Sequence, residues 1–146
     1  MTPKNQDTLT IFSPEAIEDA AAQFFDAGIS AGFPSPAEDF SEHRLSLDQE
    51  LVKNKDTTFY ARVSGQSMIG AGLDDSDLLV IDRSLEPTNN KIAVCFLDGE
   101  FTVKRLRVSD NQMWLQPENP DYPIINITKD NNFLIWGIVT NVIKKV

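Results

Sequence analysis

From about residue 44 onward the apolar positions recur with period two or in short unbroken runs, and both patterns belong to strands. Leu45 and Leu47 alternate with Arg44 and Ser46, and Leu47 to Lys53 predicts a short helical turn. Phe59, Ala61 and Val63 alternate with Tyr60 and Arg62, which predicts a strand with one buried face. Leu78-Leu79-Val80-Ile81 reads as a buried strand. Lys91 to Leu97 and Glu100 to Val108 are β-rich runs separated by Asp98-Gly99, a dipeptide that suits a two-residue hairpin turn. Met113 to Gln116, Ile124 to Ile127 and Phe133 to Val146 add further strands. The chain has no internal repeat and no low-complexity segment.

The N-terminal part follows a different pattern. Ser13-Pro14-Glu15 predicts a helix start, with a capping hydroxyl, a proline suited to the first turn and an acid that complements the helix dipole. Ile17, Ala20, Ala21, Phe24 and Phe25 then share one helical face, and Gly28 is the expected stop. One short helix cannot fold alone, so it is expected to dock on the body, reversibly. Ile29-Ser30-Ala31-Gly32-Phe33-Pro34-Ser35-Pro36 predicts an exposed, extended linker of the kind a protease cleft binds. The expected organisation is a mobile arm followed by one mainly β domain.

Length and composition narrow the function. At 146 residues the chain can bury a core without staples. It has one Cys and one His, which excludes an intramolecular disulfide, a Cys-rich zinc site and a multi-His metal site. No metal and no cofactor are expected. No apolar run approaches the ~18 residues of a membrane span. The start, Met1 to Asp7, lacks the pattern of a signal peptide, so the expected compartment is the cytoplasm. Net charge is −9, with −4 on residues 1–31 and −5 on the rest. Such a chain is not expected to hold nucleic acid through phosphate contacts; near DNA, a partner protein would do the holding.

Candidate chemistry starts at Ser64-Gly65-Gln66-Ser67-Met68, directly after a predicted strand. A sharp turn there can present a hydroxyl and aim backbone N–H groups at an oxyanion. The same five residues also fit an ordinary turn with solvated serines. A serine nucleophile needs a base. The single histidine, His43, sits in Ser41-Glu42-His43-Arg44 and reads as a surface residue. The other candidate is Lys104, which by period two shares a face with Thr102 and Leu106. An amine on such a face can be desolvated, which favours its neutral form. A drop of three units costs on the order of 4 kcal/mol, within reach of a buried site. The alternative is a strand lysine that snorkels to water. Cys95 reads as a packed apolar residue, Trp114 and Trp136 as core or interface, and Lys53, Lys55, Lys144 and Lys145 as solvated.

Three separated segments in order, Ala31-Gly32-Phe33-Pro34-Ser35-Pro36, Ser64-Gly65-Gln66-Ser67-Met68-Ile69 and Glu100-Phe101-Thr102-Val103-Lys104, resemble the UmuD branch of the LexA-like self-cleaving Ser-Lys proteases. The resemblance runs from about Ile29 to the C-terminus, through Leu78-Leu79-Val80-Ile81-Asp82 and Trp136-Gly137-Ile138-Val139. It implies a compact, mostly β fold, with Ser67 as nucleophile, Lys104 as general base and backbone N–H groups at Ser67 and Met68 as oxyanion donors. It implies cleavage at Ala31–Gly32, removing residues 1–31 and leaving residues 32–146. It further implies stimulation by a RecA filament on single-stranded DNA during the SOS response. The processed homodimer would then join a UmuC-like DNA polymerase as error-prone translesion DNA polymerase V. Two positions depart from the family pattern: Ala31 stands where some members carry Cys, and Gln66 stands in place of an acid. Residues 1–28 do not match the usual arm well.

Rival readings are weaker. A LexA-type repressor needs a DNA-binding domain before the linker, and a 31-residue acidic arm is too short and wrongly charged. A signal peptidase needs a membrane anchor. A structural polymerase subunit with a vestigial dyad has no need of Ser67, Lys104 and Ala31-Gly32 together.

Overall fold

The computed structural model describes residues 9–13, 22–24, 31–32 and 43–146. They divide into two units, residues 1–14 with 54–146, and residues 15–53. In the smaller unit, strand β2 (Ala22–Phe24) pairs antiparallel with β3 (His43–Leu45), and Ser46 caps a five-residue helix α1 (Leu47–Leu51). The helical turn expected from Leu47 is therefore present, two residues shorter at its end. The helix expected after Ser13 is corrected at residues 22–24, which are strand. An isolated helix of that length has little stability of its own, and pairing with β3 satisfies the same backbone groups. The rest of that expected helix, and all of the expected linker except Ala31 and Gly32, lie outside the described residues. Ala31 and Gly32 are exposed and form a bend.

The larger unit carries an eight-stranded antiparallel sheet. Its strands are β1 (Leu9–Phe12), β4 (Thr58–Val63), β5 (Leu78–Asp82), β6 (Ile92–Leu97), β7 (Glu100–Ser109), β8 (Gln112–Gln116), β9 (Ile125–Asn126) and β10 (Phe133–Ile143). The order across the sheet is β1-β4-β5-β10-β6-β7-β8-β9. The chain is mainly β, as its periodicity predicts. Successive side chains of a strand point to opposite faces, and here both faces are buried in the middle of the sheet. One apolar cluster gathers Ala61, Val63, Met68, Leu73, Leu79, Ile81, Val94 and Val103. Another gathers Ala93, Cys95, Leu106, Leu115 and Ile138. This explains why Ala93-Val94-Cys95 reads as an unbroken apolar run: neighbours along β6 serve different cores.

Two local devices set the geometry. Asp98 (φ 48°) and Gly99 (φ 92°) both adopt positive φ, as a type I′ hairpin requires. The turn locks the register Leu97↔Glu100 through Ala93↔Lys104. The Asp98 carboxylate also accepts bonds from Asn131 Nδ2 and Asn132 N, both at 2.8 Å. The central strand β10 changes register between Ile135 and Gly137 against β6, and between Val139 and Asn141 against β5. Such irregularities bend a long strand. At Gly137 an added Cβ would lie 2.6 Å from Ile81 Cγ2, so only glycine allows that approach.

Strand β1 is absent from the sequence-based expectation. Leu9↔Val63 to Phe12↔Tyr60 pair it with β4, and Leu9 and Ile11 pack half-buried on the first cluster. Four residues with two apolar positions are too short a pattern to distinguish from loop.

Candidate active site

Strand β4 ends at Val63, whose N–H donates to Asp77 O and whose carbonyl accepts from Ser76 N, both at 2.8 Å. The chain then turns through Gly65, at φ 112°, a conformation that favours glycine. The Gly65 N–H donates to the Asp75 carboxylate at 2.8 Å. Met68 follows, 2% exposed and packed into the first cluster, with Ala71 N and Leu73 N bonded to its carbonyl. Between the turn and this anchor sits Ser67, also 2% exposed. The solvated-serine alternative therefore fails at Ser67.

Lys104 comes from β7, opposite Ala93. It is 5% exposed, so it does not snorkel. Its Nζ lies 3.0 Å from Ser67 Oγ, 2.7 Å from Thr102 Oγ1 and 3.1 Å from the Val103 carbonyl oxygen. Thr102 shares the Lys104 face, as period two predicts. The carbonyl can only accept a hydrogen bond, whereas the two hydroxyls can accept or donate. A neutral amine in this position can donate to Val103 O and Thr102 Oγ1 and turn its lone pair to the Ser67 hydroxyl. That arrangement can remove the proton from a serine about to attack a carbonyl. A narrow pocket opens beside Ser67, with Val63, Met68, Leu73 and Val103 among its walls, Ser64 and Thr102 at its polar side, and Leu9 of β1 contributing.

A third segment, which sequence reasoning missed, supports the serine loop. After β8 the chain runs through Pro117-Glu118-Asn119-Pro120. Asn119 Nδ2 donates to Gln66 O at 2.9 Å, and the Glu118 carbonyl accepts from Gly70 N at 2.8 Å. The same Glu118 pairs through Oε1 with Arg105 Nε at 2.6 Å, next along β7 from Lys104. The signal in the sequence was a polar pair between two prolines, which reads as an ordinary turn.

Other candidates fall into place. Gln66 is exposed, and the contact to Asn119 is made by its backbone carbonyl. His43 lies in β3, in the smaller unit; its side chain is outside the described residues. Cys95 is fully buried, and burial pushes its thiol up to about 12, against a smaller opposing pull from the Lys104 charge. It is the packed apolar residue expected. Trp136 is half-buried, 5.0 Å from Phe59 and 6.0 Å from Phe101 between ring centres, with the Arg83 guanidinium over its ring at 4.6 Å. Lys53, Lys55 and Lys145 are exposed, as expected. Lys144 is exposed as well, and its ammonium also bonds Asp74 at 2.5 Å and Asp77. The strand end brings it beside an acidic turn that no local pattern links to it.

A family model described as Peptidase S24-like matches residues 23–140. The chain belongs to the Peptidase S24-like family. This is the UmuD/LexA-like family that its three motifs resemble. The chain is 42% identical to Protein MucA of Salmonella typhimurium over 119 residues, 81% of each chain. It is 42% identical to Protein ImpA of Shigella flexneri over 115 residues, 79% of this chain and 78% of that one. It is 38% identical to the LexA repressor of Paracidovorax citrulli over 116 residues, which is 80% of this chain but 51% of the repressor. Ser67, Lys104, Gln66 and Asn119 all lie within the S24-like match, as do Ala31 and Gly32.

Proposed function

We propose that this S24-like chain is a self-cleaving serine endopeptidase that cuts its own Ala31–Gly32 bond. The observation that carries the proposal is the buried 3.0 Å contact between Lys104 Nζ and Ser67 Oγ. In the mechanism, the neutral Lys104 amine takes the Ser67 proton and Oγ attacks the Ala31 carbonyl. Backbone N–H groups at Ser67 and Met68 hold the oxyanion. The tetrahedral intermediate collapses, the C–N bond to Gly32 breaks, and the Lys104 ammonium returns its proton to the departing Gly32 amine. Water, deprotonated by Lys104, then attacks the Ser67–Ala31 ester; as the acyl–oxygen bond breaks, Lys104 returns that proton to Ser67 Oγ, and the Ala31 carboxyl group leaves.

Taking an ammonium out of water disfavours its charged form, and Lys104 is buried. Thr102 Oγ1 and Val103 O can each accept an amine N–H, so a neutral Lys104 can turn its lone pair to Ser67. The small pocket beside Ser67 suits a residue the size of Ala31. With the dyad already assembled, placing the scissile segment is the slow step. A RecA filament on single-stranded DNA, in the SOS response, acts on that placement. The 32–146 product forms a homodimer in the cytoplasm and joins a UmuC-like polymerase for translesion synthesis. Removal of residues 1–31 also takes β1, and with it Leu9 of the pocket wall, out of the sheet and leaves the peptidase-like β domain of residues 32–146. The rival with a vestigial dyad does not require this contact, and processing of a Ser67→Ala chain separates the two readings.

The test is incubation of the full chain at alkaline pH, and separately with RecA, ATP and single-stranded DNA, followed by intact-mass measurement. The expected products are residues 1–31 and 32–146, and Ser67→Ala yields neither. A Ser67→Ala chain processed at the native rate would overturn the reading.

A further inference from the structure

The loop after β8 holds the serine turn at Gln66 and at Gly70, and the Gln66 carbonyl also accepts from Ile69 N at 3.4 Å. Asn119 is 8% exposed and donates from Nδ2 to the Gln66 carbonyl at 2.9 Å. Its own orientation is determined by chemistry. Its Oδ1 accepts from Asp121 N at 3.0 Å, and its backbone carbonyl accepts from Tyr122 N at 3.1 Å. Gln66 O can only accept and Asp121 N can only donate, so a flipped amide would break both side-chain bonds.

The Gln66 carbonyl belongs to the same planar unit as the Ser67 N–H. No described peptide bond is cis, and in a trans unit the C=O and N–H point in opposite directions. Holding the carbonyl toward Asn119 therefore aims the Ser67 N–H away from it. Rotation of that unit would turn a carbonyl dipole to where an oxyanion forms, and would leave the buried amide without its acceptor.

The segment is also fixed as a whole. At Gly70 an added Cβ would stand 2.6 Å from the Glu118 carbonyl oxygen, so the two backbones touch without room for a side chain. Glu118 is tied to Arg105 on β7. The brace thus grips the serine loop at Gln66 and at Gly70, on either side of Ser67, and is anchored beside the strand position of Lys104.

We propose that Asn119 is a positioning residue for self-cleavage, orienting the Gln66–Ser67 peptide so that the Ser67 N–H serves as an oxyanion donor. This rests on the peptidase reading above. It assigns Asn119 no contact with the scissile bond and no part in proton transfer.

The experiment compares the full-length wild type with Asn119→Asp. Aspartate keeps an acceptor for the Asp121 N–H but offers Gln66 O no donor. Self-cleavage without RecA is followed by mass across an alkaline pH series, alongside thermal melting. The expected result is a plateau rate about 100- to 1,000-fold lower, the loss typical of one oxyanion donor, with the pH midpoint of the rate unchanged. Should Asn119→Asp melt below the assay temperature, Asn119→Ser and Asn119→Ala replace it. Serine retains a hydroxyl that can donate to the same carbonyl, and is expected to keep more of the plateau than alanine. A wild-type plateau in a folded Asn119→Asp chain, or equal plateaus in the Ser and Ala variants, overturns the role of Asn119 alone. A moved midpoint with an intact plateau overturns it too, because Asn119 would then act through the lysine. A wild-type chain that stays uncut at every pH and with the RecA filament overturns the peptidase reading, and this inference with it.

Discussion

Replacing Lys104 by methionine separates catalysis from stability. The amine makes three contacts, at 2.7, 3.0 and 3.1 Å. At about 1 kcal/mol net each, their loss removes about 3 kcal/mol. Those net values already include the cost of keeping the amine out of water at 5% exposure. The methionine side chain adds about 2 kcal/mol of apolar burial in the same space. The balance is a chain less stable by only about 1 kcal/mol. Cleavage should fall by at least the factor of about 100 to 10,000 that a positioned base contributes. Urea unfolding measures the stability, and intact mass after alkaline incubation measures cleavage. A Lys104→Met chain less stable than wild type by more than about 2 kcal/mol would refute the argument, since the lysine would then be a structural strut.

Two further outcomes test the frame around the dyad. Burial pushes the Asp77 carboxyl up, but the bond from Lys144, the Asp74 N–H and the Lys144 charge outweigh it and hold it below its ordinary 3.8. Its contribution is therefore present above 3.8 and lost as pH falls through the lower folded value. The stability gap between wild type and Asp77→Asn, read from urea unfolding, should be full at neutral pH and close as pH falls below 3.8 through the folded value; a gap that persists in acid would contradict the pairing. Gly137→Ala places a Cβ 2.6 Å from Ile81 Cγ2, on a side chain with 0% exposure, and should cost about 1–3 kcal/mol in the same assay. An unchanged midpoint would mean that β10 approaches β5 less closely than described.

Period two and turn chemistry suffice for most of the sheet, because β4, β5, β6, β7 and β10 are long enough for alternation or unbroken burial to stand out. Asp98-Gly99 determines the hairpin that puts Lys104 opposite Ala93, since only that turn accommodates two positive φ values in sequence. The dyad was legible in type: a serine in a sharp post-strand turn and a lysine facing apolar neighbours. What distinguished the catalytic reading from the bland one was burial, and burial is a property of the packed sheet rather than of any seven-residue window.

The chain's own pattern thus decides that it is mainly β, that it has one thiol and one imidazole, and that a segment with Pro34 and Pro36 precedes the β-rich run. The tertiary structure decides which distant groups meet. Lys144 reaches Asp77 across 67 positions, and Asn119 reaches Gln66 across 53. Likewise β1 pairs with β4, and residues 22–24 become strand because β3 is there to receive them. The physical reason is common to all four. A hydrogen bond, an ion pair or a strand edge depends on what fills the space beside it. When that partner lies dozens of residues away, no local periodicity encodes the encounter.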